Sequence, residues 1–117
     1  MTNTISISTH VLDTAVGAPA VGVFVTLERL EPDNRTITIS RGQTDADGRV
    51  AALAPVGGSV TVGVFRLTFH VADYFAATQR TSFYNDISVS FIVGHEPQHY
   101  HVPLLLSPFG YSTYRGS

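Results

Sequence analysis

Apolar and polar residues alternate in short runs along most of the chain. The first run begins at Ile5, and two further runs follow over residues 21–27 and 36–39. A period of two residues puts every second side chain on the same face of an extended strand, so each run is predicted to be a β-strand with one buried face. Clusters of turn-forming residues separate the runs and are predicted to be turns, over residues 13–19, 31–35, 44–48 and 55–59.

The second half of the chain repeats this pattern and contains one segment with helical character. Four further strands are predicted, over residues 60–71, 87–93, 99–106 and 111–114. Asp73 is predicted to be the N-cap of a short helix over residues 74–78, because an Asp side chain accepts hydrogen bonds from the first helical N–H groups. The prediction is an all-β sandwich of about eight strands and one short helix, with residues 1–117 forming a single domain.

The composition excludes several kinds of active site. The chain has no Cys, which rules out a thiol nucleophile, a disulfide framework and a zinc site built on thiolates. All seven basic residues are Arg, so no lysine can form a Schiff base and any fixed positive charge is a guanidinium.

The charge and hydropathy patterns limit the partners and the location. A formal net charge of −2, with acids and bases scattered, provides no basic surface for nucleic acid. No run of about 18 apolar residues predicts a membrane span, and the first residues lack the pattern of an export signal. We therefore expect a cytoplasmic protein without nucleic-acid or membrane partners.

Five histidines stand out in a chain without Cys: His10, His70, His95, His99 and His101. His99 and His101 are two residues apart on a predicted strand, so both side chains leave the same face and can converge on a metal ion or a substrate. Spacing alone favours a structural or surface role, because sheets commonly carry histidines that bind no ligand.

Two other segments resemble known sites only in part. Asp45, Asp47 and Gly48 match the start of a calcium-binding loop, but the further acceptors that such a loop requires are missing, so a tight turn between two strands is predicted. Arg49 then stands at a strand start, as either a solvated charge or an anion clamp in a pocket, and its position alone does not decide. Ser59 follows two glycines but lacks the strand–turn–helix context of a nucleophilic serine.

Five local sequences together resemble those of a known family. They lie near both ends of the chain and at two places between: STHVLD (residues 8–13), TDADGR (44–49), DYF (73–75), HYHVPLLLSP (99–108) and YSTYRGS (111–117). On these motifs the protein resembles the transthyretin-like family over essentially the whole chain, and the sequence Tyr-Arg-Gly-Ser is the mark of the family's hydrolase branch. The resemblance implies a sandwich of two four-stranded sheets, dimers paired through edge strands, and a homotetramer with active sites in a central channel.

The resemblance also implies an activity and the residues that perform it. The activity is hydrolysis of 5-hydroxyisourate to 2-oxo-4-hydroxy-4-carboxy-5-ureidoimidazoline in urate and purine breakdown, with no cofactor and no metal. A histidine would take a proton from water and an arginine would stabilise the developing negative charge, whereas which histidine is the base stays open. The implied catalytic residues are His10, Arg49, His101 and Ser117, and the implied substrate-binding residues are Tyr114, Arg115 and Gly116.

Two alternatives keep the fold and change the chemistry. One is a ligand carrier that uses the same channel, like the hormone-carrying branch of the family, which lacks the second histidine and the Tyr-Arg-Gly-Ser ending. Several ionisable groups in one channel make a poor site for an apolar ligand, because each unpaired group costs desolvation energy. The other is a zinc site built from His10, His99 and His101, whose nitrogens suit zinc, although water activation by histidine already explains these residues.

Overall fold

The computed structural model describes residues 5–54, 62–94 and 98–117. Within these residues the chain forms nine strands and one helix, in the order β1 Ser6–Asp13, β2 Ala18–Pro19, β3 Phe24–Leu30, β4 Thr36–Gln43, β5 Arg49–Val50, β6 Gly63–Phe69, α1 Val71–Ala77, β7 Ile87–Val93, β8 His99–Ser107 and β9 Gly110–Thr113. The turn predicted over residues 55–59, which includes Ser59, the strand start predicted at Val60, and His95 lie outside the described residues.

The strands form two sheets. One sheet has the order β2-β1-β8-β9, with β5 also paired to β1, and the other has the order β4-β3-β6-β7. β1 and β8 are parallel from Ser6 opposite His99 to Asp13 opposite Leu106, whereas the other described strand pairs are antiparallel. The predicted all-β sandwich with one short helix is confirmed, and the two-residue strands β2 and β5 are additions to it.

The core lies between the two sheets. In β6, Phe65, Leu67 and Phe69 are buried while their neighbours are less so, and Ile7 and Val11 of β1 face them from the first sheet. Apolar side chains removed from water in this way contribute roughly 25 cal/mol per Å² of buried surface, which is the main stabilising term of such a sandwich. The alternation of apolar and polar residues that predicted the strands therefore reflects the burial of every second side chain in this core.

Most of the predicted strands differ from the observed ones at one or both ends, and two of these differences have a local explanation. The run over residues 21–27 becomes a strand only at Phe24, and Val21 is 53% exposed. The backbone N–H of Val23 donates to the hydroxyl of the buried Thr44 at 2.8 Å. Residues 21–23 therefore form part of a loop that contacts Thr44, and strand β3 begins after them. The strand predicted to end at Val71 ends at Phe69, because Val71 is already helical.

Helix α1 starts earlier than predicted. His70 is its N-cap residue and makes no side-chain capping hydrogen bond, so the prediction of Asp73 as the N-cap is wrong. Val71 and Phe75, one turn apart, are both buried, and their packing determines where the helix begins. Asp73 lies in the first turn, where a negative charge interacts favourably with the helix dipole. No helix in the described part of the chain is long and apolar enough to cross a membrane.

A buried carboxylate at the end of β1 hydrogen-bonds residues in and just after helix α1. Asp13 is fully buried, and its Oδ2 accepts hydrogen bonds from Tyr74 Oη at 2.7 Å and Arg80 Nη2 at 2.5 Å. Burial by itself raises the pKa of Asp13, but the hydrogen bonds from Arg80 and Tyr74 outweigh it and hold the pKa below its usual value. Burial also raises the pKa of Tyr74 to about 12, so its phenol stays protonated and donates. Asp13 is therefore ionised at neutral pH.

Candidate active site

The parallel pairing of β1 and β8 brings three histidines to one face of the first sheet. Ser8 lies opposite His101, and His10 lies opposite Pro103. The intervening residues of both strands, among them Thr9 and Val102, are buried toward the core, so the histidines face away from it. His10, His99 and His101 thus share the outer face of the sheet.

A tight turn places Arg49 beside these histidines. Asp45 Oδ1 accepts hydrogen bonds from the backbone N–H of Asp47 at 2.9 Å and of Arg49 at 3.0 Å, and these bonds lower the pKa of the Asp45 carboxyl. Gly48 has a φ of +77°, and a Cβ there would lie 2.5 Å from the Val11 carbonyl oxygen, so only glycine fits. The segment is the predicted turn between strands. It delivers Arg49 into β5, directly opposite His10 in β1.

The segment after β9 packs against His101. The backbone N–H of Gly116 donates to the His101 carbonyl oxygen at 2.8 Å, which forms an isolated antiparallel bridge. A Cβ at residue 116 would clash with the imidazole ring, since it would lie 3.1 Å from Cγ and closer still to Cδ2. The absence of a side chain at Gly116 therefore allows the tail to approach the histidine, and this brings Ser117 to the site.

A cavity of about 280 Å³ lies where these elements meet. Its lining combines hydroxyl, imidazole and guanidinium groups with a similar amount of apolar surface: Ser8, Thr9, Arg49, Ala51, His99, His101 and Ser117. His10 is adjacent through its pairing with Arg49. Of the seven predicted site residues, Arg49, His101 and Ser117 line one cavity, and His10 and Gly116 contact residues that line it.

The electrostatic surroundings keep His101 uncharged. Partial burial of the ring lowers the pKa of His101 below its usual value, and the charge of Arg49, with that of His99 or His10 whenever either is protonated, lowers it further. A histidine whose pKa lies below 6.5 is neutral at physiological pH and has a free ring nitrogen that can accept a proton. His101 is thus suited to act as a general base.

Tyr114 and Arg115 belong to a neighbouring cavity. Arg115 Nη2 donates to Gln98 Oε1 at 2.6 Å, and its guanidinium lies 4.8 Å from the centre of the Tyr100 ring. Both residues line a cavity of about 170 Å³ whose other walls are mostly apolar, among them Val89 and Ile92. His101 lines this cavity as well as the polar one, so the two cavities meet at that residue.

Two contributions to the site were not assigned from the sequence. Ser8 was quoted only as part of a motif, yet its Oγ lies 2.8 Å from His99 Nε2 and 2.7 Å from His101 Nδ1. Thr9 was quoted in the same motif and assigned to the strand, and it also lines the polar cavity. Spacing along the chain gave no signal for either, because the contacts join residues more than 90 positions apart.

The three histidines do not form a preassembled metal site. Among the described ranges, no group of three or more His, Asp or Glu side chains is arranged to hold a metal ion. The rings of His99 and His101 are stacked, with centroids 6.2 Å apart and planes at 17°. Both rings are already engaged by the Ser8 hydroxyl between them.

The fold and the site define a β-sandwich protein with a polar pocket lined by histidine and arginine. The chain belongs to the HIUase/Transthyretin family, whose model it matches over residues 7–116.

Named relatives fall on both branches of that family. The chain is 47% identical over 114 residues to the 5-hydroxyisourate hydrolase of Deinococcus radiodurans, with 95% of each chain covered. The structure of Klebsiella pneumoniae 5-hydroxyisourate hydrolase superposes with a TM-score of 0.83 at 37% identity, covering 96% of this chain and 99% of that one. Sea bream transthyretin, solved in complex with thyroxine, superposes with a TM-score of 0.87 at 30% identity, covering 95% and 94%. The fold is therefore common to an enzyme and a carrier, and the site must discriminate between them.

Proposed function

We propose that this protein hydrolyses 5-hydroxyisourate to 2-oxo-4-hydroxy-4-carboxy-5-ureidoimidazoline in urate and purine breakdown, in the cytoplasm. The observation that carries the proposal is the polar cavity in which Arg49, His101 and Ser117 meet. Relatives named 5-hydroxyisourate hydrolase, such as that of Deinococcus radiodurans, support it through 47% identity.

The side chains of the cavity support a water-activation mechanism. His101, neutral because its pKa is lowered, takes a proton from a water molecule, whose oxygen attacks a ring carbonyl of the substrate. Arg49 binds the carbonyl oxygens and stabilises the negative charge that develops as the tetrahedral intermediate forms. The carbon–nitrogen bond then breaks, and His10, in its protonated form, gives its proton to the leaving ring nitrogen. The proton that His101 took from water returns to His10 through solvent, so the net reaction adds one water molecule across the broken bond without a cofactor.

The tail supplies the remaining substrate contacts in this proposal. The Ser117 hydroxyl can donate to or accept from the substrate's polar rim, since Ser117 lines the polar cavity. Gly116 keeps the tail close to His101. Tyr114 and Arg115 remain proposed substrate-binding residues. Both line the adjoining cavity, which is also lined by His101.

The direct test is a coupled assay. Purified protein is mixed with urate and urate oxidase, and the decay of the transient ultraviolet absorbance is compared with a blank. We expect rapid decay with the wild-type protein, and an Arg49→Gln variant should be slower by about 10²- to 10³-fold, the usual loss for a preorganised donor of this kind. Decay no faster than the blank would refute the proposal.

The second candidate function is a ligand carrier, favoured by the superposition on sea bream transthyretin with thyroxine. In this chain the cavity of about 280 Å³ is lined by Arg49 and two histidines, and the mostly apolar cavity that shares His101 has only about 170 Å³. An apolar ligand would leave the guanidinium and imidazole groups unpaired, at a cost in desolvation energy. A carrier would bind thyroxine-like molecules without turnover of 5-hydroxyisourate, which the same assay distinguishes.

We further propose that the active protein is a homotetramer. Residues 102–106 are apolar at every position, as expected for a strand covered on both faces, and Leu105 is only half-buried within one chain. Exposed aromatic residues lie nearby in and around β9, namely Phe109 and Tyr111.

Light scattering at micromolar concentration tests this assembly. We expect a mass four times the 12.6 kDa of the chain, because a homo-oligomer with closed symmetry buries these surfaces. A monomeric mass for a fully active protein would contradict the tetramer.

The roles of the histidines can be separated from metal binding. Exhaustive chelation should leave kcat unchanged, whereas His10→Ala and His101→Ala should each lower it by about 10²- to 10⁴-fold, the range for a general acid or base. On the acid side of the pH profile, kcat/KM should begin to fall only below pH 6.5, because the pKa of His101 is lowered and its protonation removes the base. Loss of activity on chelation, restored by zinc, would instead favour the metal site of His10, His99 and His101.

A further inference from the structure

Four side chains on the outer face of the first sheet form an unbroken row of hydrogen bonds. Ser6 Oγ lies 2.6 Å from His99 Nδ1, His99 Nε2 lies 2.8 Å from Ser8 Oγ, and Ser8 Oγ lies 2.7 Å from His101 Nδ1. The parallel register of β1 and β8 produces the row, since Ser6 lies opposite His99 and Ser8 opposite His101. It connects the exposed His99 to the half-buried His101 in the polar cavity.

The Ser8 hydroxyl makes the protonation of the two rings interdependent. A hydroxyl has one proton to donate and two lone pairs that accept. His99 Nε2 and His101 Nδ1 therefore cannot both accept from Ser8, and at least one of them carries a proton. Ser8 is only 6% exposed, and its Oγ lies between the two rings. The protonation of His101 Nδ1 is thus coupled to that of His99 Nε2.

We propose that Ser8 is a positioning residue that holds the proton of His101 on Nδ1 and leaves Nε2 as the nitrogen that accepts the proton from water. In this arrangement His101 Nδ1–H donates to Ser8 Oγ, the Ser8 hydroxyl donates to His99 Nε2, and His99 Nδ1–H donates to Ser6 Oγ. Every donor in the row meets an acceptor.

The assignment follows from what a general base requires. Fixing the partner of one imidazole nitrogen fixes the tautomer and orientation of the ring, which is how outer residues support a catalytic histidine. The inference rests on the proposed hydrolase function, in which a neutral histidine activates water.

Nuclear magnetic resonance of the substrate-free protein tests the tautomer directly. With ¹⁵N-labelled histidine, and with His101→Gln to assign the signals, we expect His101 to carry its proton on Nδ1 in the wild type and in Ser8→Thr, which keeps the hydroxyl. Ser8→Ala should lose this preference and gain the Nε2–H form. A wild-type His101 protonated on Nε2, or a tautomer unchanged in Ser8→Ala, would overturn the proposal.

Kinetics provide the second measurement. Ser8→Ala should lower kcat by about 10- to 100-fold, as the loss of an outer hydrogen-bond partner of a functional histidine typically does, with KM little changed and Ser8→Thr close to wild type. The matched control is Ser90→Ala, at an exposed serine on β7 of the other sheet. An undiminished kcat in folded Ser8→Ala would refute the positioning role.

If Ser8→Ala does not fold, the tautomer of His101 in the wild type and in Ser8→Thr decides whether the proposal holds. Lack of hydrolysis by the wild type would count against the proposed function alone, because the tautomer is measured without substrate.

Discussion

Deletion of Tyr114 to Ser117 is expected to abolish hydrolysis while leaving the fold intact. Terminal residues are usually dispensable for activity. Here the deletion removes Ser117 from the lining of the cavity and Gly116 from its hydrogen bond to the His101 carbonyl. Strand β9 ends at Thr113, whose hydroxyl donates to Pro103 O at 2.6 Å, so the sheet itself is unaffected. Positioning groups of this kind account for a large share of a small enzyme's rate enhancement.

Point variants refine this expectation. Gly116→Ala adds a Cβ that meets the His101 ring and should lower kcat/KM by displacing the imidazole or the tail. Ser117→Ala removes only a hydroxyl and should have a smaller effect. Circular dichroism and the mass in solution should match the wild type for all three proteins. A truncated protein with ordinary kcat/KM would show that the tail has no role in the reaction and would remove a main reason for preferring an enzyme to a carrier.

Replacement of Asp13 by Asn should cause the largest loss of stability. Removing one partner of a buried ion pair typically costs about 3 to 5 kcal/mol in the free energy of unfolding, because the other charge is left without compensation. Arg80 would be that charge, and Tyr74 would lose the carboxylate to which it donates. Urea unfolding followed by circular dichroism measures the effect.

The loss should depend on pH with a definite sign. The pKa of Asp13 is lower in the folded protein than its ordinary value of 3.8. Its contribution to stability is therefore complete well above pH 3.8 and disappears as the pH falls through the folded pKa. The wild type and Asp13→Asn should converge in acid. Asp33→Asn is the matched control, because its pair with Arg35 is 58% and 72% exposed and such pairs contribute about 0 to 1 kcal/mol. Equal effects of the two substitutions would show that the Asp13 pair does not stabilise the fold.

Local patterns predicted two of the strands within one residue. The strand Ile87–Val93 has the predicted bounds, and His99–Ser107 extends one residue beyond its prediction, because their inward residues all meet the same core. The helix start was mispredicted, since burial of Val71 and Phe75 outweighed the capping preference of Asp73. Val21 was wrongly predicted to lie in a strand. The backbone N–H of Val23 hydrogen-bonds the Thr44 hydroxyl and the strand starts only at Phe24, which the alternation of residue types does not reveal.

The site was predicted through motifs and not through geometry. Spacing placed His99 and His101 on one face, but nothing local indicated that β1 pairs with β8 or that Arg49 lies opposite His10. These contacts depend on the topology of the whole sandwich. For the same reason Ser8 was not recognised as a partner of both histidines.

The parallel pair of β1 and β8 has a consequence for the order of folding. β1 is the first described strand, yet its long partner β8 lies more than 90 residues later, and the polar cavity, which takes residues from β1, β8, the tail and the segment that begins with β5, is complete only after that pairing. Contacts so distant in sequence form slowly, because the loop must close before they contribute. On the ribosome, residues 6–13 must therefore wait with one edge unpaired until residues 99–107 have emerged. The second sheet, whose neighbours are closer in sequence, can assemble earlier, so the capacity for catalysis should arise last during synthesis.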